Sequence, residues 1–352
     1  AATFLNLFLA VFLFFYRPLG IWVCIGYILL GIGIYYIYSR EKEYTAKAEP
    51  VIHSEQPVFH PKSCNYHILV PVANQKTVEE LQRFALTIAE SREADITVLN
   101  VIRVPAQLPP SEGRKYLSQS RSLLDKAIEM AENMDIPVSS VVKVSHNIPK
   151  AIIETCSERH IDLMVLGWEG KKPARDRVIG TVLDDIVLNT VCDIALVCRP
   201  PRPKDTVKRV LIPVSSIDYA SLSLQTAEAL FNRGKMPFVL FHATHRNDAN
   251  RIKIRYQEEL NKLKNGINPS RYEIIVKKTD NFADAILTEI QHNDLVIMGA
   301  PEEGLVRRAF FGDLPVHIAQ STEVPLILTK KYTGDVKSWF QKFFGARKTM
   351  LE

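Results

Sequence analysis

The chain has 352 residues, with 44 Lys and Arg against 39 Asp and Glu, a net charge of +5, and 47% hydrophobic residues. So mild a balance gives no electrostatic footprint for nucleic acid, and the length is enough for two or three domains. The five cysteines show no paired metal or disulfide spacing, which excludes a disulfide-built scaffold and fits a reducing cytosol.

Residues 1–16 are apolar apart from Thr3 and Asn6, and residues 19–38 are apolar apart from terminal tyrosines. The second run reaches the roughly 20 residues that cross about 30 Å of hydrocarbon. Only Tyr16-Arg17-Pro18 separates the two, so residues 1–38 are expected to form a tight hairpin of two transmembrane helices. Arg40, Lys42 and Lys47 follow the second span, which places the rest of the chain in the cytoplasm. The first run opens without methionine, and the chain is read as a fragment of something longer. The stretch Ile21-Trp22-Val23 through Gly31-Ile32-Gly33-Ile34-Tyr35-Tyr36-Ile37-Tyr38-Ser39 resembles the last transmembrane helix of amino acid permeases of the amino acid–polyamine–organocation family. Gly31 and Gly33 are equally readable as helix-packing positions.

Residues 39–65 are polar, interrupted by Pro50, Pro57 and Pro61, and lack an apolar period, so they read as a linker. From Tyr66 a strand–helix alternation begins. Strands are expected at 66–73, 95–104, 138–144, 163–167 and 194–197, with helices at 76–91, around 111–134, at 148–160 and from 181. Such alternation predicts a doubly wound α/β domain over 66–200, its parallel sheet flanked by helices. Ligands of such sheets sit beyond the C-terminal strand ends where the strand order reverses, so Pro71, Ala73 and Gly167 should face one another.

The most informative stretch is Leu163-Met164-Val165-Leu166-Gly167-Trp168-Glu169-Gly170, followed nine residues later by Gly180-Thr181-Val182. Gly167 permits close approach of a ligand, and Gly170 a positive φ in the turn. Free N–H groups and the helix dipole at Gly180 and Thr181 favour an anion, with Lys171, Lys172, Arg175 and Arg177 in the intervening loop. The pattern Gly-x2-Gly-x9-Gly-Thr resembles the nucleotide-binding signature of the universal stress protein family, as does the Cys192-Asp193-Ile194-Ala195-Leu196-Val197 run that follows. The resemblance implies an adenine nucleotide (ATP, AMP or a cyclic dinucleotide) held by Pro71, Ala73, Val101, Gly167, Gly170, Gly180, Thr181 and Val182. Val101 would touch the base. The family's usual Asp at the end of the first strand is Ala73 here, which weakens the nucleoside half of the site.

A stiff hinge at 201–204 leads to a second copy of the pattern over 205–332. Val210-Leu211-Ile212-Pro213-Val214-Ser215 echoes Ile68-Leu69-Val70-Pro71-Val72-Ala73, and Leu295-Val296-Ile297-Met298-Gly299 echoes Leu163 to Gly167. In this copy Glu302 stands where Gly170 does, and Asp313 follows Gly312 where Thr181 follows Gly180. Carboxylates repel phosphate, so the second copy is expected to be structural and to pair with the first. The tail 333–352 carries Val336, Trp339, Phe340, Phe343 and Phe344 on one face of an amphipathic helix, for a lipid surface or for the chain's own domains.

No His-Glu-x-x-His, Cys-x-x-Cys or EF-hand loop occurs, so no metal is predicted, and no nucleophile is paired with a base, so the region is not read as an enzyme. His146 and His242 stand near strand ends, where surface histidines are expected. The leading expectation is the cytoplasmic regulatory region of an integral membrane transporter resembling an amino acid permease. It would be attached to upstream transporter helices and homodimerise through the stress-protein domains. A ligand-free dimerisation scaffold, a weak ATPase and a cation/proton antiporter are the alternatives.

Overall fold

The computed structural model describes residues 29–31, 53–59, 64–105, 107–108, 110–170, 181–200, 207–231, 236–245, 247–263, 267–299 and 313–332. The chain divides into two compact units, Ala1–Val51 and Ile52–Glu352. In the first, residues 29–31 are helical with Leu29 and Leu30 exposed. Among the described residues no helix is long and apolar enough to cross a membrane. The expected membrane hairpin (apart from 29–31), the hinge at 201–204 and the tail at 333–352 lie outside the described residues.

The second unit is built on one 11-stranded sheet in the order β1-β4-β3-β2-β5-β6-β11-β10-β7-β8-β9. Its first half contains β1 (His53–Phe59), β2 (His67–Pro71), α1 (Gln75–Arg92), β3 (Asp95–Arg103), α2 (Leu117–Glu132), β4 (Val138–Ser145), α3 (Ile148–Glu158), β5 (Leu163–Trp168), α4 (Thr181–Asn189) and β6 (Asp193–Cys198). The second half contains β7 (Arg209–Pro213), α5 (Ile217–Leu230), β8 (Phe238–Thr244), α6 (Ala249–Lys262), β9 (Tyr272–Lys278), α7 (Phe282–Glu289), β10 (Asp294–Gly299), α8 (Asp313–Ser321) and β11 (Leu326–Lys330).

Apart from β1, the strands within each half run parallel, and the halves meet where β6 and β11 pair antiparallel from Leu326↔Cys198 to Lys330↔Ile194. Strand residues alternate between the two faces, so a run such as Leu163–Trp168 is apolar nearly throughout because both faces are covered. One core holds Val70, Phe84, Leu124, Leu224 and Tyr256 beneath α1, α2, α5 and α6. The other holds Leu69, Ile152, Ile186, Ile286 and Val316 beneath α3, α4, α7 and α8. Across the junction Arg199 Nη2 donates to Ala319 O at 2.8 Å, and the Tyr332 backbone N–H donates to Asp193 Oδ1 at 2.7 Å.

Two expectations need correction. The stretch read as a linker contains β1, which pairs antiparallel with β4 from His53↔Lys143 to Phe59↔Val138. Its polar residues hid it, because an edge strand owes its place to the neighbour's unsatisfied backbone groups. The register breaks between Gln56 and Phe59, where Pro57 supplies no N–H. The helix expected around 111–134 begins instead as a 3-10 turn, Pro110–Tyr116, before α2. Gly113 is the reason: any side chain there would strike Val144 and Val104, so the segment presses directly onto β3 and β4.

Candidate functional site

The strand order reverses between β2 and β5, and their pairing lasts only two rungs, Ile68↔Leu163 and Leu69↔Met164. Beyond these the strand ends diverge and open a crevice at the C-terminal edge. Pro71 closes β2 half-buried, and Ala73 lies just past it, exposed. Gly167 lies in β5, one atom's width from α1: a Cβ there would stand 3.0 Å from Leu81 Cδ1. Gly170 has φ +71°, as its turn demands, and a Cβ would fall 2.8 Å from Cys198 Sγ and 3.4 Å from Ala319 Cβ. This glycine therefore serves close packing against β6 and α8 as well as the turn.

Ala73 and Val101 are brought together on one cleft of about 630 Å³, bordered also by Asn100, Arg103, Tyr116 and Ser120. Val182 is 37% exposed and borders a separate hollow of about 210 Å³ with His146, Asn147 and Asp185. Arg103, at the end of β3, lines both. Thr181 is the first residue of α4, while Gly180 and the basic loop of Lys171, Lys172, Arg175 and Arg177 lie outside the described residues. Trp168 points to the face opposite Gly167 and is 5% exposed in the core with Cys198 and Ala319, its indole N–H without a partner. It borders neither hollow.

The walls of these hollows are fixed from behind. Asn100 Nδ2 donates to Val72 O at 2.7 Å, holding the turn after β2. Asn147 caps α3 by accepting from Lys150 N at 3.0 Å. His146 Nδ1 lies 2.8 Å from Val104 O, a contact that requires the proton on Nδ1, so this histidine is held by the backbone. Tyr116, Arg103 and Ser120 had no signal in the sequence, because each comes from an element that reads as ordinary surface.

In the second half the equivalent edge, between β7 and β10, holds a cavity of about 420 Å³. Phe241, Phe282, Ile286, Met298, Leu314 and Leu328 wall it, and Ser215 and His242 contribute polar groups. His242 is half-buried: its Nδ1 lies 2.9 Å from Val214 O and 2.8 Å from Tyr256 Oη, and Tyr256 Oη donates to Ser215 O at 3.0 Å. His242 thus holds Val214 as Asn100 holds Val72. Burial pushes the Tyr256 phenol up to about 12, and the nearby Arg255 opposes that only in part. Among the described residues no group of three or more His, Cys, Asp and Glu side chains converges as a metal site would.

A known family matches part of this fold. Residues 65–197 match the Universal stress protein family. The match ends at the junction between halves, so it covers the half that carries the Gly167–Thr181 pattern. Over 242 residues the chain is 23% identical to the Na(+)/H(+) antiporter NhaS5 of Synechocystis sp., covering 68% of this chain and 34% of the antiporter. The chain thus spans about a third of that relative. Universal stress protein MJ0531 of Methanocaldococcus jannaschii is 24% identical over 143 residues, 38% of this chain and 83% of that protein. Among solved structures, a universal stress protein from Archaeoglobus fulgidus superposes with a TM-score of 0.57 at 14% identity, over 77% of this chain and 98% of its own. The cytoplasmic domain of a prokaryotic cation chloride cotransporter superposes with a TM-score of 0.51 at 14% identity, over 77% and 96%. These two likenesses establish the doubly wound α/β fold.

Proposed function

We propose that this chain is the cytoplasmic regulatory region of a membrane transporter, and that its first half binds an adenine nucleotide while its second half, a divergent copy of the same domain, does not. The observation that carries the reading is the crevice where β2 and β5 part, with the stress-protein pattern running from Gly167 to the start of α4. Tyr116 presents a ring and Val101 an apolar surface to the cleft beside Ala73, which suits an adenine. Arg103 stands between that cleft and the hollow below Val182, on a path from base to helix N-terminus. Phosphates would lie at the opening of α4, where Thr181 N–H groups are free of intrahelical partners. Ala73 in place of a carboxylate weakens the ribose contacts by about 1–1.5 kcal/mol, close to tenfold in affinity.

The role is regulatory, with no chemistry proposed on the nucleotide. Binding shifts a transporter only by its differential affinity for two transporter states. The attached membrane region is read as an amino acid permease from the aromatic run at 21–39. A cation carrier is the second reading, favoured by the likeness to an antiporter over two thirds of this chain. β6 and β11 occupy each other's edges, so a homodimer would use another surface.

Calorimetry of the full chain with ATP, AMP and a cyclic dinucleotide tests the sensor. Saturable heat with one of them, absent in Gly180→Glu, is expected. Silence with every nucleotide would leave a ligand-free scaffold.

A further inference from the structure

We infer that the cavity at the C-terminal edge of β7, β8 and β10 is a second ligand site, for an uncharged fused-ring aromatic molecule that donates one hydrogen bond to His242. The inference is independent of the nucleotide reading, which concerns the other half.

Four features converge on this ligand class. The volume of about 420 Å³ falls in the range of small-molecule pockets and holds a molecule of two or three rings. Its walls are hydrocarbon and aromatic, contributed by five separate elements, and none of the described lining residues is a lysine or arginine. A phosphate would find no counter-charge among these described lining residues, and α8 opens on an acidic residue, Asp313.

The third feature is the orientation of His242. Val214 O can only accept, so a contact of 2.9 Å from Nδ1 places the ring proton on Nδ1. In the neutral ring Nε2 is then an acceptor, and with Nδ1 tied to Val214 and Tyr256 it is the ring nitrogen left for a ligand at this cavity, which His242 helps to line. The T-shaped packing of His242 on Tyr256, with centroids 5.4 Å apart, holds this orientation.

The fourth is Phe282, the first residue of α7 and part of the lining, which is left 40% exposed. His245 holds its ring edge-on at 4.7 Å. An immobilised, half-exposed aromatic at a cavity rim is uncovered apolar area that a flat ligand would bury. In the first half the corresponding positions are Asn100, Val101 and Ile148, a polar amide and aliphatic groups in place of His242, Ala243 and Phe282. At these three positions the aromatic character is specific to the second half.

The test uses 2-naphthol and its donor-free analogue 2-methoxynaphthalene as probes on the full chain, read by fluorescence. Saturable binding of 2-naphthol is expected, with a Kd on the order of 10–100 µM for so small a molecule. The methoxy analogue should bind about 5- to 10-fold more weakly, and His242→Phe should erase that difference. Ile286→Trp or, independently, Met298→Trp should fill the cavity and remove the saturable component while the circular dichroism spectrum stays that of the parent. Naphthol binding should persist in Gly180→Glu and resist displacement by ATP. Equal binding of the two probes, undiminished binding in both tryptophan variants, or displacement by ATP would each overturn the assignment.

Discussion

The two halves carry their strands in one order, β4-β3-β2-β5-β6 and β9-β8-β7-β10-β11, yet they finish that plan with different chemistry. In the first half β1 covers the outer edge of β4, and every residue of β4 is buried, Lys143 included, its ammonium paired with Glu158 at 2.7 Å. In the second half β9 is the terminal strand, and it ends in exposed Lys277 and Lys278. Charged residues on a terminal strand discourage edge-to-edge pairing, so each half protects its edge by a different device. The start of the central strand differs as well. His67 meets Asp95 at 2.9 Å and donates its backbone N–H to Asp162, whereas Arg209 grips Asp294 through two bonds of 3.0 and 2.7 Å and reaches Glu289 at 3.1 Å. The comparison teaches that the strand order and the crevice it creates persist while the groups lining the crevice and the edges diverge. One scaffold therefore carries two unlike crevices.

Breaking this comparison at its strongest point should give the largest effect. Asp294 is 1% exposed on its side chain, and Arg209→Ala would leave that carboxylate buried without its partner. A loss of about 3–5 kcal/mol is expected from chemical denaturation. His67→Ala in the first half removes a half-exposed pair and should cost about 1 kcal/mol or less. Equal losses would mean that the two strand starts do equivalent work.

A smaller effect is expected at the turn after β5. Gly170→Ala forces a side chain into φ +71° and onto Cys198 Sγ, for about 1–3 kcal/mol in the same assay. A neutral result would show that β6 and α8 yield readily there.

The smallest expected contrast is in pH dependence, where the halves should behave alike. Burial raises both Tyr66, in the first half, and Tyr256, in the second, to about 12. Each folded-state value lies above the ordinary value near 10, so the folded chain holds these protons longer than the unfolded chain. Their contribution to stability is complete below pH of about 10 and is lost as pH rises toward 12. Phenolate absorbance followed against pH should include one late-titrating tyrosine removed by Tyr66→Phe and one removed by Tyr256→Phe, with Tyr272, which burial raises further still, left in both variants.

Much of the architecture was legible in the residues because parallel strands buried on both faces read as short continuous apolar runs. Leu163–Leu166 and Leu295–Met298 are such runs, and their repetition exposed the duplicated order. β1 was not legible, since His53 to Phe59 has no apolar period and becomes a strand only because β4 offers an open edge. The phosphate side proposed for the first crevice rests on a local pattern, since Gly167, Gly170 and Thr181 stand close together in the sequence from β5 to α4. The second cavity could not be read in this way, because Phe241, Phe282, Met298 and Leu314 come from distant elements and each reads as ordinary core. Attention to glycines and charges led the other way, toward a purely structural second half. His242 shows the same limit, since its role depends on Val214 and Tyr256, and neither neighbour is foretold by sequence spacing.

The most direct test of the account asks where a nucleotide lands. Photolabelling the full chain with 8-azido-ATP, followed by mass spectrometry of the digested peptides, resolves the two halves. The account predicts ATP-protected label on peptides from residues 65–200, at no more than one nucleotide per chain. Protected label on peptides from residues 207–332 would contradict it.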